Sequence, residues 1–199
     1  MKKKYCFDLD GTITAQEILP LMAAELNLYD EISALTKATI DGLIPFEQSF
    51  KLRCKLLSDI PINKVQEIVS NIKLNEMVVE FIKENKKNSY VITGNLYEWV
   101  KPIVDKLECK IYCSKGVFVN NRLKSLENIL NKGEAIKDLK KEGDTVISIG
   151  DGMGDVIMFQ ESDFSIAFGG IHEPIQTLLK ISNYLVYEES SLCRLLKTL

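Results

Sequence analysis

Residues 5–17 read YCFDLDGTITAQE. Tyr5, Cys6, Phe7 and Leu9 suit a buried strand. Asp8 and Asp10 do not, because burying an unpaired carboxylate is costly. Side chains alternate along a strand, so both carboxylates are expected to share one face while Leu9 packs on the other. Two such groups repel, and a bound cation relieves the repulsion. A compact set of carboxylate oxygens suits magnesium, which takes one or two carboxylates together with waters and phosphate oxygens. The plain alternative is that Asp10-Gly11 only makes a turn.

Working outward, further short apolar runs end at turn signals and predict buried strands at 4–9, 89–93, 144–149 and 163–168, with weaker candidates at 109–113 and 183–187. Segments with helical periodicity lie between them at 76–84, 96–106, 133–140, 156–160 and 173–179. Strand alternating with helix predicts an α/β fold, a mostly parallel Rossmann-like sheet covered by helices on both faces. The Asn-Asn pair inside GVFVNNRLKSL, residues 116–126, predicts a hairpin, since asparagine tolerates left-handed turns. Residues 15–72 contain no good strand. Amphipathic segments at 17–26, 29–40, 45–57 and 61–72 fill them, two opening on a proline. A run this long is a unit with its own packing. The expected division is a core of residues 1–14 and 73–199 and a small helical domain of residues 15–72, inserted where open α/β sheets bind ligands.

Three more patches join the paired aspartates. GDGMGD, residues 150–155, follows the 144–149 strand and places Asp151 and Asp155 on a glycine-rich turn. VITGN, residues 91–95, ends a strand in Thr93 and Gly94 and leads into a helix, whose free N–H groups favour anions. Lys132 precedes a helix and offers a point positive charge for a phosphate. Each alone has an ordinary reading as a turn, a cap or a solvated lysine. Together they place four carboxylates, a hydroxyl, an amide-rich turn and a cation on one rim of a parallel sheet, which fits metal-assisted phosphoryl transfer.

The order and spacing of DLDGT, VITG, the lysine of NKGEA and GDGMGD resemble the haloacid dehalogenase superfamily. FDLDGTITAQE and FEQSFKLR, residues 46–53, are similar to its phosphoserine phosphatase-like subgroup, with a four-helix cap over the site. The resemblance implies Asp8 as nucleophile and Asp10 as general acid and base. It implies Mg2+ held by Asp8, the Asp10 carbonyl and Asp151, with Asp155 supporting the metal's water and Lys132. Thr93, Gly94 and Lys132 would hold the phosphoryl oxygens. Glu17 and Arg53 would read the substrate's ammonium and carboxylate, and Phe46 would close the pocket. Two departures bear on the substrate. Gly154 stands where the subgroup has asparagine, and Asn95 follows Gly94 where it has a second glycine. Asn95 is expected to restore an amide near Gly154.

The implied activity is hydrolysis of phosphoserine or a similar small phosphorylated metabolite, the step that would close serine biosynthesis. The alternatives are another small phosphomonoester, transfer to an acceptor alcohol, or a regulatory protein whose phospho-aspartate is read by a partner. Asp10 argues against the last, since a stable acyl phosphate gains nothing from a nearby base.

The totals exclude several classes. Of 199 residues, 46% are hydrophobic and 27% charged, which is globular composition rather than disorder. A net charge of -3 supplies no general field for nucleic acid or acidic membrane. Lys2–Lys4 reads as a solvated end. No apolar run approaches a membrane span, and no secretion signal is visible, so a cytoplasmic monomer or homodimer is expected. Five cysteines read as reduced thiols; Cys109 and Cys113 lack the second pair that a zinc site needs. With His172 as the one histidine, a histidine-rich metal site is excluded; it is expected in a loop without a role. Trp99 is expected to pack in the core.

Overall fold

The structure, a computed structural model, describes residues 2–140 and 143–199. Residue 1 and residues 141–142, all within the predicted core, lie outside the described residues. Seven strands form one sheet: β1 (Lys2–Phe7), β2 (Ser89–Leu96), β3 (Lys110–Val119), β4 (Arg122–Asn128), β5 (Asp144–Gly150), β6 (Phe164–Phe168) and β7 (Tyr184–Val186), in the order β4-β3-β2-β1-β5-β6-β7. All neighbours are parallel except the β3–β4 hairpin. Asn120 and Asn121 make its turn with φ of 50° and 64°, the left-handed geometry anticipated for that pair.

Both faces of the sheet are covered, and strand parity assigns the residues. Tyr5, Phe7, Val91, Ile147, Ile149, Ile166 and Phe168 face one core, shared with α5 (Glu76–Glu84), α6 (Tyr97–Leu107) and α10 (Glu189–Thr198). Cys6, Tyr90, Ile92, Val146 and Ala167 face the other, under α7 (Lys132–Leu139), α8 (Val156–Glu161) and α9 (Gln176–Ile181). Trp99 is buried in the first core. The α10 helix was not anticipated, because its Glu189–Thr198 stretch follows the weakest strand and carries no distinctive cap.

Between β1 and α5 lie four helices: α1 (Ile18–Ala23, continued by a 3-10 turn to Leu26), α2 (Tyr29–Ile40), α3 (Phe46–Leu57) and α4 (Ile62–Ser70). Pro45 and Pro61 cap α3 and α4 from outside the first turn, where a missing N–H costs nothing. The chain leaves and re-enters the sheet region side by side. Thr14 bridges Leu74, Ala15 N donates to Lys73 O at 2.8 Å, and Asn75 N donates to Ile13 O at 2.9 Å. The helical block also leans on the core, since Gln66 Nε2 donates to Glu98 O at 2.8 Å and Ile62 N to Asn121 O at 2.8 Å. No helix among the described residues is long and apolar enough to cross a membrane.

The lysine run is solvated at Lys2 but not at Lys4. It opens β1, and Lys4 is buried, with Nζ 2.6 Å from Asp144 Oδ2 and also donating to Leu139 O. All five cysteines are free; Cys109 precedes β3 and Cys113 lies within it.

Candidate active site

Chain order reverses between β1 and β5: β2 and β3 extend the sheet to one side, β5 to β7 to the other. That is a topological switch point, and it opens a crevice at the strands' C-terminal ends. Asp8 leaves β1 there and Asp151 leaves β5, with the Asp8 N–H still bonded to Ile149 O at 2.9 Å. The strand stops at Phe7, so Asp8 and Asp10 are not paired by strand alternation as expected. Instead the chain coils: Ile13 and Thr14 both donate to Leu9 O at 2.9 Å, and Gly11 adopts φ 72°. Leu9 is buried, as expected. Gly11 has a second reason to lack a side chain: a Cβ there would lie 2.5 Å from Asp151 Oδ2.

Lys132 is buried, contrary to the solvated reading of a lysine before a helix. It is the first residue of α7, and Asn131 fixes that end by accepting from Gly133 N at 3.0 Å and Glu134 N at 3.2 Å. Its Nζ lies 2.6 Å from Asp8 Oδ1 and 2.7 Å from Asp155 Oδ1. The other Asp155 oxygen accepts from Asp151 N at 3.0 Å and Gly152 N at 3.1 Å. Asp155 is therefore a hub, tying the cation to the turn that carries Asp151.

Charge crowding perturbs these groups. Burial holds Asp8 well above the usual carboxylate range, the Asp155 charge adds to this, and Lys132 opposes it. Asp151 is pushed up by burial and then by Asp155 and Asp8. Burial would lower the Lys132 ammonium, but Asp155 and Asp8 more than compensate and raise it. Asp10 is pushed up to about 7, first by burial and then by the Glu17 charge.

These residues fit a divalent cation. Asp8, Asp151 and Asp155 each offer an oxygen within 4.8 Å of the others. Asp151 Oδ2 is buried and has no hydrogen-bond partner, an orphan that a cation would satisfy.

Thr93, Gly94 and Asn95 do not precede a helix directly. They lie within β2, which runs to Leu96 with a register break after Thr93. Thr93 Oγ1 accepts from Asn95 N at 3.2 Å. Ser114, a buried residue that sequence reasoning passed over, donates to Gly94 O at 2.7 Å and accepts from Leu130 N at 3.0 Å. It links the β2 bulge to the segment leading into Lys132; one serine in a strand gives no sequence signal of this. The Asn95 side chain, which lines the same cavity as Gly154, is engaged with Asp10. It donates from Nδ2 to Asp10 Oδ2 at 2.5 Å, while Ile18 N donates to Asp10 Oδ1 at 3.0 Å.

The helical block supplies the opposite wall. Glu17 is half-buried and extended, capping α1 rather than lying within a helix. His172 Nε2 lies 3.0 Å from Glu17 Oε1, so the one histidine is at this site rather than idle in a loop. Arg53 is buried, with Nη1 donating to Thr36 Oγ1 at 3.2 Å and Nε unpartnered. It pairs with neither Glu47 nor Glu17; Glu47 takes Lys51 instead. The Phe46 ring stacks on Phe50, centroids 5.3 Å apart, and touches Gly94, where a Cβ would lie 2.1 Å from the ring. One cavity of about 390 Å³ is lined by all of Asp8, Asp10, Thr93, Gly94, Asn95 and Lys132, by Asp151 and Asp155, and by Glu17, Phe46 and Arg53. Gly154 also borders it, with nothing within 4 Å of where a Cβ would stand.

A family model described as haloacid dehalogenase-like hydrolase matches residues 6–160. The phosphoserine phosphatase of Methanocaldococcus jannaschii is 31% identical, over 84% of this chain and 85% of that protein. The phosphoserine phosphatase of Campylobacter jejuni subsp. doylei is 25% identical, over 84% and 87% respectively. A substrate-bound phosphoserine phosphatase structure superposes with a TM-score of 0.87 at 27% identity, covering 100% of this chain and 99% of that one. A phospho-aspartyl intermediate analogue of phosphoserine phosphatase gives 0.84 at 25% identity, covering 98% and 99%.

Proposed function

The chain belongs to the haloacid dehalogenase-like hydrolases, and from that premise we propose that it hydrolyses phosphoserine through an aspartyl phosphate on Asp8. The observation that carries this reading is the shared cavity: the Asp8–Lys132–Asp155 cluster lies on its floor and the Glu17 and Arg53 side chains on its wall. A floor of that kind suits a phosphoryl group, and a wall with one acidic and one basic side chain suits an amino acid.

In the proposed reaction an Asp8 carboxylate oxygen bonds to phosphorus as the phosphorus–oxygen bond to serine breaks. Asp10 gives its proton to the departing serine oxygen. It then takes a proton from water, which attacks phosphorus and restores Asp8 with release of inorganic phosphate. A carboxyl held near 7 suits both halves at neutral pH. The Asn95 amide and the Ile18 N–H hold one oxygen of Asp10 each, fixing its direction. Lys132, Thr93 and the Gly94 N–H would take the phosphoryl oxygens. Arg53 presents a guanidinium with an unpartnered Nε to the substrate carboxylate, Glu17 faces the ammonium, and Phe46 covers the entrance.

The oxygen-only donor set of Asp8, Asp151 and Asp155 fits magnesium; Asp8, Asp151 and the Asp10 main-chain carbonyl would hold the ion, with Asp155 alongside. When bound, the ion neutralises charge on the phosphoryl group. Five free thiols support a reducing, cytoplasmic setting. We assign residues 15–72 as the cap and the remainder as the catalytic core, a division supported by the paired stem at Thr14 and Leu74.

The test is phosphate release from phosphoserine, phosphothreonine, phosphoethanolamine and sugar phosphates with magnesium. Phosphoserine is expected to lead, Asp8→Asn to abolish turnover, and Arg53→Ala to remove the preference over phosphoethanolamine, which lacks the carboxylate. No release from any of them would end the proposal, and a phospho-aspartate lasting minutes would point to a regulatory role.

A further inference from the structure

Glu17 is a wall between two cavities. On one side is the 390 Å³ active-site cavity; on the other is a second, of about 480 Å³, bordered by Tyr29, Lys37, Asp41 and His172. Glu17 lines both, whereas His172 lines only the second. The imidazole reaches Glu17 from the second cavity, 3.0 Å from Oε1, with a ring nitrogen also within 4.8 Å of an Asp151 carboxylate oxygen. It comes from the core, in the segment between β6 and α9, while Glu17 opens the helical block.

That contact solves a definite problem. Glu17 caps α1 with extended backbone and makes no capping hydrogen bond. Among the described residues, His172 is the only group hydrogen-bonded to its side chain. A glutamate has three rotatable bonds, and an unheld carboxylate loses much of its discrimination to side-chain entropy. A donor on Oε1 leaves the other oxygen free to meet a ligand.

We propose that His172 is a positioning residue for substrate selection: it fixes the Glu17 carboxylate so that the enzyme reads the ammonium of an amino-acid phosphomonoester. The assignment rests on the phosphoserine reading above and adds to it the residue that makes Glu17 selective. His172 touches Glu17 and not the substrate, so its removal acts on discrimination between substrates that differ at the ammonium.

The experiment compares phosphoserine with 3-phosphoglycerate, which keeps the carboxylate and phosphate and carries a hydroxyl in place of the ammonium. The readout is the ratio of their kcat/KM values, with the inhibition constant of 3-phosphoglycerate standing in where its turnover is slow. His172→Ala is expected to lower the ratio about tenfold, the scale of one hydrogen bond to a charged group. The loss should enter through the phosphoserine KM. His172→Gln, which keeps a donor, is expected to recover most of it, which a purely structural role would not produce. Equal losses on both substrates, or an unchanged ratio, overturn the assignment alone. So does an altered magnesium activation midpoint with the ratio unchanged, since a His172 atom also lies within 4.8 Å of ligand atoms of Glu17 and Asp151. A wild-type enzyme that hydrolyses neither ester overturns the phosphoserine reading, and this assignment with it.

Discussion

Without divalent cation, the protein should lose stability as pH rises from 5 to 8, because its buried carboxyls favour the protonated form. Asp10 carries the clearest share. Its carboxyl is raised from 3.8 to about 7, by burial and then by the Glu17 charge. A group with a raised folded-state value contributes stability that is complete below its unfolded value and is lost as pH climbs through the folded one. Here that window runs from 3.8 to about 7. At about 1.4 kcal/mol per unit, the part falling between pH 5 and 8 is about 2–3 kcal/mol. Asp8 and Asp151 are shifted in the same direction and add to it. For a chain of this size the Asp10 share corresponds to a fall in Tm of about 5–10 °C. The assay is thermal unfolding in chelator at half-unit pH steps, repeated with magnesium. On the proposed reading magnesium would bind the ionised cluster and restore the loss at pH 8, and Asp10→Asn should shrink the slope by its share. A Tm that is flat or rises from pH 5 to 8 in chelator would show that the carboxylates are compensated within the protein and refute the reasoning.

Two further outcomes follow from the glycines. Gly94→Ala puts a methyl 2.1 Å from the Phe46 ring, which is backed by Phe50 and has little room to retreat. Phosphoserine KM is expected to rise about tenfold, on the scale of core overpacking, with calorimetric magnesium affinity unchanged. Gly154→Asn meets open space at its Cβ; urea unfolding should place it within about 0.5 kcal/mol of wild type, while the substrate panel shifts because the position borders the cavity.

The sheet was legible because its strands are short apolar runs closed by glycines and aspartates, and parity then assigned Phe7 and Cys6 to opposite cores. Two of the four site patches, Asp8 with Asp10 and Asp151 with Asp155, were legible because carboxylates at strand ends contradict burial unless they do chemistry. What escaped was long-range geometry. Nothing local announces that Lys132 is buried, because the reason is Asp8 and Asp155, far away in sequence. Asn95 bonding Asp10 and His172 bonding Glu17 bridge separations of 85 and 155 residues. Boundaries slipped for a related reason: the register break after Thr93 carries β2 to Leu96, past the Thr-Gly that resembles a strand terminus.

The ladder at Ile13–Ala15 and Lys73–Asn75 has a consequence for how this enzyme can diversify. Closing a chain between two fixed points costs free energy that grows only logarithmically with length, about 0.6 kcal/mol per doubling. Here the sheet side of the ladder fixes those points, so the length suspended between them hardly enters the ledger of the core. What the core does feel is the apolar surface it shares with Ile18 and Val65. Cavity-lining residues of the helical block, Phe46 and Arg53 among them, could therefore be exchanged along with their helices while Asp8, Lys132 and Asp151 stay in register. On the proposed division, exchange of the helical block would leave the carboxylate cluster in place, provided that the contacts from Ile18, Ile62 and Gln66 to the core are kept.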